Sequence, residues 1–147
     1  ECEFATGRVL QGVVASLKRY GVNLSGMLLK VNMALPGKDS REKAEPELVA
    51  LSSVRMLKAV VPNEVAGIVF LSGGQSPEEA TRNLNAIILA GRKAHVPWPL
   101  SFSFARALQD PVMDAWAGKE VNTEKAQKIF ARRVAETSAA SLGEYMQ

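Results

Sequence analysis

The sequence predicts an α/β fold on a parallel sheet, and three observations carry that reading. Helix and strand signals alternate along the chain in the order α-β-α-β-α-β-α-α. The strand candidates are short apolar runs more than clean alternations, the pattern of parallel strands with both faces covered. Finally, 147 residues with 47% hydrophobic and 22% charged side chains have the size and composition of a single globular domain.

From Arg8 to Arg19, Val9, Leu10, Val13, Val14 and Leu17 fall on one helical stripe, and Gly21 supplies a stop. The run from Met27 to Met33, closed by Pro36-Gly37, predicts the first strand, and Lys30 is its one charged residue. Lys38 to Glu47 reads as a polar loop long enough to cover something. It leads into a helix over Leu48 to Val60, with Leu48, Leu51, Met56 and Val60 inward and Pro62 beyond its end. Gly67 to Leu71 predicts the second strand, and Ser72-Gly73-Gly74-Gln75 separates it from the best-marked helix start in the chain.

There Ser76 stands at the cap, Pro77 at the first helical position and Glu79 three residues after the cap, the pattern of a capping box. Ala80, Leu84, Ile87 and Ile88 form the inward stripe of that helix. Pro97-Trp98-Pro99 introduces a third strand, Leu100 to Phe104, which ends at Ala105-Arg106. A short helix is expected from Ala107 to Trp116. A longer one is expected from Thr123 to Leu142, with Ala126, Ile129, Phe130, Val134 and Thr137 inward and Gly143 at its end.

Composition excludes several classes of function. There are 18 basic against 15 acidic residues, a formal charge of +3, with no block of five like charges, so no nucleic-acid partner is implied. No apolar stretch is long enough for a membrane span, and Glu1-Cys2-Glu3-Phe4 lacks the features of an export signal. With one cysteine, Cys2, and one histidine, His95, disulfide scaffolds, thiolate metal cages and Ser-His-Asp chemistry drop out, and no metal site is expected. His95, beside two prolines, reads as a solvent-exposed imidazole with no role. Trp98, Trp116, Phe102 and Phe104 read as core or loop anchors. Lys125, Lys128, Arg132 and Arg133 read as the solvated face of the last helix.

Right-handed crossovers bring the C-terminal ends of parallel strands to one edge, where the following loops carry chemistry in barrels and open sheets alike. The groups delivered there are Lys30, Ser72 to Gln75, and Arg106. Two readings are open to Lys30. Burial would disfavour its ammonium and leave a nucleophilic amine able to form a Schiff base with a carbonyl; a strand-end position would let its stem reach solvent. Ser72-Gly73-Gly74 before a capped helix reads either as a phosphate cradle or as a tight turn. Arg106 reads either as a second anion ligand or as a surface ion pair.

Taken together and in order, these segments resemble the C-terminal part of class I fructose-bisphosphate aldolases. The resemblance rests on Leu28-Leu29-Lys30-Val31-Asn32-Met33 with Pro36-Gly37, then Phe70-Leu71-Ser72-Gly73-Gly74-Gln75-Ser76 with Glu78-Glu79-Ala80 and Asn83-Leu84-Asn85-Ala86-Ile87. Pro97-Trp98 and Ser103-Phe104-Ala105-Arg106-Ala107-Leu108-Gln109 extend it across most of the chain. It implies the C-terminal part of a (β/α)₈ barrel, about three of eight strands, with Lys30, Ser72-Gly73 and Arg106 at the ends of the sixth, seventh and eighth.

By the same resemblance, Lys30 is the Schiff-base lysine, and Ser72, Gly73 and Arg106 hold a substrate phosphate. The implied reaction is reversible, metal-independent cleavage of fructose 1,6-bisphosphate to dihydroxyacetone phosphate and glyceraldehyde 3-phosphate in cytoplasmic glycolysis. No cofactor is implied, and the expected partners are the phosphorylated sugar and further copies in a homotetramer. The chain departs from the family pattern at Ser25, Val31 and Phe104-Ala105, where glutamate, proline and Tyr-Gly are usual. The family's acidic proton-transfer residues, second active-site lysine and C-terminal tyrosine have no counterpart in these residues, so the chain alone is expected to be inactive. A second reading is a truncated relative that binds phosphorylated ligands or protein partners without catalysis.

Overall fold

Three short strands, β1 (Leu28–Val31), β2 (Gly67–Phe70) and β3 (Leu100–Phe102), pair in the order β1-β2-β3, and every pairing is parallel. The structure is a computed structural model and describes residues 1–37, 40 and 43–146. Among the described residues five helices complete it: α1 (Cys2–Arg19), α2 (Pro46–Val60), α3 (Pro77–Lys93), α4 (Arg106–Trp116) and α5 (Thr123–Ser141). Single 3₁₀ turns precede β1 at Leu24–Gly26 and α5 at Glu120–Asn122. The expected element order therefore holds: each strand is followed by a helix, and α2 and α3 return the chain for the next parallel pairing. Most of the first half of the expected loop from Lys38 to Glu47 lies outside the described residues.

Register explains the division of the sheet into two faces. Val31 pairs with Phe70 and Phe70 with Phe102, while Lys30 pairs with Val69 and Val69 with Ser101. Side chains alternate along a strand, so these two rows point to opposite faces. The Val31–Phe70–Phe102 row joins the core cluster with Val49, Val54, Leu57, Leu84, Ile87 and Trp98. On the other face Lys30 and Leu28 are exposed, Leu28 at 64%. The expectation of a sheet covered on both faces thus fails for this chain. The helices take one face, and three strands are too few to curl round and bury the other against themselves.

The helix faces follow the same logic with three corrections. The first is in α2, where Met56 is buried as expected but Leu48 and Leu51 are 56% and 57% exposed, because the helix turns Val49, Ser53, Val54 and Leu57 inward. The α3 stripe Ala80, Leu84, Ile87 and Ile88 is buried as expected, and the capping box is formed at its start. Helix α1 begins at Cys2, six residues before the expected Arg8, and its buried residues are Gly7 and Leu10 while Val9 and Val13 stay exposed. Gly7 gives the reason: a Cβ there would stand 3.7 Å from Met56 Cγ, so its contact with α2 is close and narrow. Helix α5 buries Ala126, Arg133, Thr137 and Ala140, whereas Phe130 and Val134 are 46% and 38% exposed. Arg133, expected on the solvated face, is 1% exposed. Trp98 is a buried anchor whose Nε1 donates to the Pro62 carbonyl at 2.8 Å, and His95 is exposed.

Candidate active site

The C-terminal strand ends supply the candidate groups, and backbone hydrogen bonds set their relative height. Leu71 N–H donates to the Val31 carbonyl at 3.0 Å, and Ser103 N–H donates to the Phe70 carbonyl at 2.9 Å. Lys30 therefore leaves β1 one residue before the rung on which β2 ends, and Ser72 follows that rung by two residues. Lys30 projects on the exposed face, so of its two open readings the solvent-reaching one describes it within this chain.

Ser72 and Gly73 bring the second and third strand ends together. Ser72 is buried at 5%, and its Oγ accepts from the Ala107 N–H at 3.4 Å. That N–H belongs to the first turn of α4, where Ala105, the residue at the helix cap, has no side-chain oxygen to offer. Ser72 thus caps α4 from across the sheet. At Gly73 an added Cβ would lie 3.0 Å from Arg106 Nη2 and 3.3 Å from Leu71 Cδ1. The missing side chain is the space in which the Arg106 guanidinium sits against the loop. Gly74 turns the chain with φ +82°, a conformation that favours glycine, and delivers it to the capped start of α3. In the sequence Arg106 closes the third strand; in the structure it opens α4.

This arrangement gathers what a phosphate monoester requires: peptide N–H groups at a glycine turn, a helix N-terminus and a planar guanidinium fork. The α3 start is itself rigid. Ser76 N–H donates to Glu79 Oε2 at 2.9 Å and Glu79 N–H donates to Ser76 Oγ at 3.2 Å. Chiefly the hydrogen bond from the Ser76 backbone, and then that from its side chain, holds the Glu79 carboxyl below its ordinary value of 4.5. A groove of about 730 Å³ elsewhere on the described residues is not this site. Its lining includes Lys43, Glu45, Glu47, Gln75, Glu79 and Arg82 but none of Lys30, Ser72, Gly73 or Arg106. Its charges are of both signs and select no one ligand.

The full length of the chain, residues 1–147, matches the family model described as fructose-bisphosphate aldolase class-I. The chain belongs to the class-I fructose-bisphosphate aldolase family. It is similar, at 51% identity over 99% of its length, to the cytosolic fructose-bisphosphate aldolase 4 of Arabidopsis thaliana, and it covers 36% of that protein. Against fructose-bisphosphate aldolase B of Sparus aurata the identity is 45%, over 98% of this chain and 39% of the relative. Among solved structures it is similar to the fructose-bisphosphate aldolase of Plasmodium falciparum, crystallised with TRAP and a small-molecule inhibitor. That similarity has a TM-score of 0.93 and 42% identity, over 99% of this chain and 41% of that one. This aldolase-family chain spans about two-fifths of the relatives it matches. Its three parallel strands with helices on one face have the architecture of part of a (β/α)₈ barrel. No helix among the described residues is long and apolar enough to cross a membrane.

One residue of this neighbourhood escaped the sequence reading. Arg133 of α5 donates through Nη2 to the Pro77 carbonyl and to Thr81 Oγ1, each at 2.7 Å, and through Nε to the Ala107 carbonyl at 3.3 Å. Nη1 pairs with Glu136. Grouping Arg133 by charge with Lys128 and Arg132 hid it. Position would have found it, because it falls on the stripe of small residues, Ala126, Thr137 and Ala140, that α5 buries.

Proposed function

We propose that this chain supplies the Schiff-base lysine and one phosphate site of a fructose-bisphosphate aldolase. In this reading the Lys30 amine attacks the ketone carbon of the substrate and water leaves. The protonated imine then takes up the electron pair of the bond between the α and β carbons as the β-hydroxyl loses its proton, giving an enamine on Lys30 and a free aldehyde. Protonation and hydrolysis of the enamine release the ketone. Ser72, the backbone at Gly73 and the Arg106 fork bind one phosphate, fixing the carbonyl where Lys30 reaches it. The substrate is fructose 1,6-bisphosphate and the products are dihydroxyacetone phosphate and glyceraldehyde 3-phosphate.

The observation that carries this reading is the meeting of Arg106 with Gly73 beyond the strand whose neighbour bears Lys30, in a chain of this family. The groups that move the remaining protons come from other strands of the complete barrel. Cytosolic relatives support a cytoplasmic location, and the exposed apolar side chains of the helices support assembly with further copies.

The test uses a chimera in which residues 1–147 replace the matching segment of the Arabidopsis thaliana cytosolic aldolase 4. Borohydride reduction in the presence of dihydroxyacetone phosphate, with peptide mapping, is expected to mark Lys30 selectively. Lys30→Met is expected to lose both the adduct and turnover. Unchanged turnover in Lys30→Met overturns the assignment.

A further inference from the structure

Helix α4 contains a proline, and its position creates a vacancy in the helix ladder. The Ala107 carbonyl would ordinarily accept from the N–H four residues on, but residue 111 is Pro111 and has none. Ala107 is 2% exposed, so its carbonyl has little access to water as an alternative. The donor comes from Arg133, whose Nε reaches that oxygen at 3.3 Å. The same guanidinium donates to the Pro77 carbonyl at the first position of α3 and to Thr81 one turn later. Thr81 Oγ1 in turn donates to the Pro77 carbonyl at 2.9 Å, closing a ring of contacts.

These contacts converge on the two segments that form the phosphate site. Ala107 is held on its N–H side by Ser72 Oγ and on its carbonyl side by Arg133, and it directly follows Arg106. Pro77 opens the helix to which Gly73 and Gly74 deliver the chain. One rigid fork therefore spans the first turn of α3 and the first turn of α4, and its geometry fixes how far Arg106 stands from the Gly73 loop. A buried cation is retained only where its donors are answered, and Glu136 balances its charge.

We propose that Arg133 is a positioning residue for phosphate binding: by replacing the N–H that Pro111 lacks and bonding Pro77, it sets Arg106 against the Ser72–Gly73 loop. This rests on the aldolase reading above only for the identity of the ligand. The role predicts an effect confined to phosphorylated ligands, which a purely structural role would not produce.

The experiment compares the chimera with its Arg133→Lys variant, which keeps the charge and loses the fork. Two quantities are read: borohydride trapping at Lys30 with dihydroxyacetone phosphate and with unphosphorylated dihydroxyacetone, and calorimetric affinity for inorganic phosphate. Trapping of the phosphorylated ketone and phosphate affinity are expected to fall about tenfold, the scale of one lost hydrogen bond to a charged group, with trapping of dihydroxyacetone unchanged. A Pro111→Ala change in the Arg133→Lys background restores an N–H to Ala107 and is expected to recover at least part of the loss. This double variant also serves as the comparison if Arg133→Lys alone does not fold.

Equal losses for both ketones, no loss for either, or a folded double variant with no recovery would each overturn the proposal. If the unaltered chimera forms no adduct at Lys30, the Schiff-base reading fails. Phosphate affinity then judges Arg133 by itself, a fall supporting the role and an unchanged value overturning it.

Discussion

At Gly73 the absence of one methyl group is a positional requirement, and it separates two kinds of glycine within two residues. An alanine at Gly73 would leave the backbone unstrained and drive against Arg106 Nη2, the far end of a flexible side chain. Gly73→Ala is therefore expected to fold normally and to lose about tenfold in phosphate affinity in the chimera, as Arg106 is displaced from a charged hydrogen bond. Gly74 shows the opposite signature, with open space around it but a φ of +82°. Gly74→Ala is expected to cost about 1 kcal/mol of stability through backbone strain, read by denaturant unfolding. Lys30, Ser72, Gly73 and Arg106 could be singled out in the sequence because each lies in or just beyond a strand signal and has its own chemical signature. Arg133 could not, since a basic residue among basic neighbours on a surface helix reads as solvated until the partner carbonyls are known.

The elements were legible to the extent that local chemistry fixed them. Helix α3 carries its start in four consecutive residues, Ser76-Pro77-Glu78-Glu79, and the structure begins it at Pro77. The start of α1 carries no such mark, because Glu1 makes no side-chain cap bond and the residues after it are unpatterned. The α3 capping box also makes a pH prediction. Glu79 is held below 4.5 by its bonds from Ser76, so the folded state favours the carboxylate more than the unfolded chain does. That stability is complete above the unfolded value and is lost as pH falls through the lower folded value. Glu79→Gln is expected to flatten the acid limb of a plot of melting temperature against pH, with the difference between the two chains shrinking below pH 4.5. An undiminished difference in acid would assign the capping energy elsewhere.

For the whole molecule, area decides how the chain behaves alone. Its accessible surface is 9117 Å², whereas a monomeric globular protein of its mass exposes about 7,400 Å². The excess is consistent with both sheet edges being unpaired, β1 on one side and β3 on the other, and with Leu28 and Lys30 standing on an uncovered face. The isolated 147-residue chain is expected to form heterogeneous aggregates in sedimentation experiments and to show no aldol cleavage, while the chimera is expected to sediment as one defined species and to cleave the substrate. Turnover by the isolated chain would mean that the other strands contribute no essential group. The topology of the sheet was legible because parallel crossovers leave few arrangements; the open face was not, since apolar runs look alike whether their cover is a helix or a further strand.

The pairing of Pro111 with Arg133 also makes the cost of substituting one depend on the other. With Pro111 in place, removal of Arg133 strands the Ala107 carbonyl in the interior at a cost of about 1–3 kcal/mol. With alanine at position 111 the ladder N–H would answer that carbonyl, and Arg133 would keep its bonds to Pro77, Thr81 and Glu136. Replacing Arg133 is therefore expected to cost less stability when residue 111 is alanine than when it is proline, a coupling that a double-mutant cycle of denaturant unfolding reads.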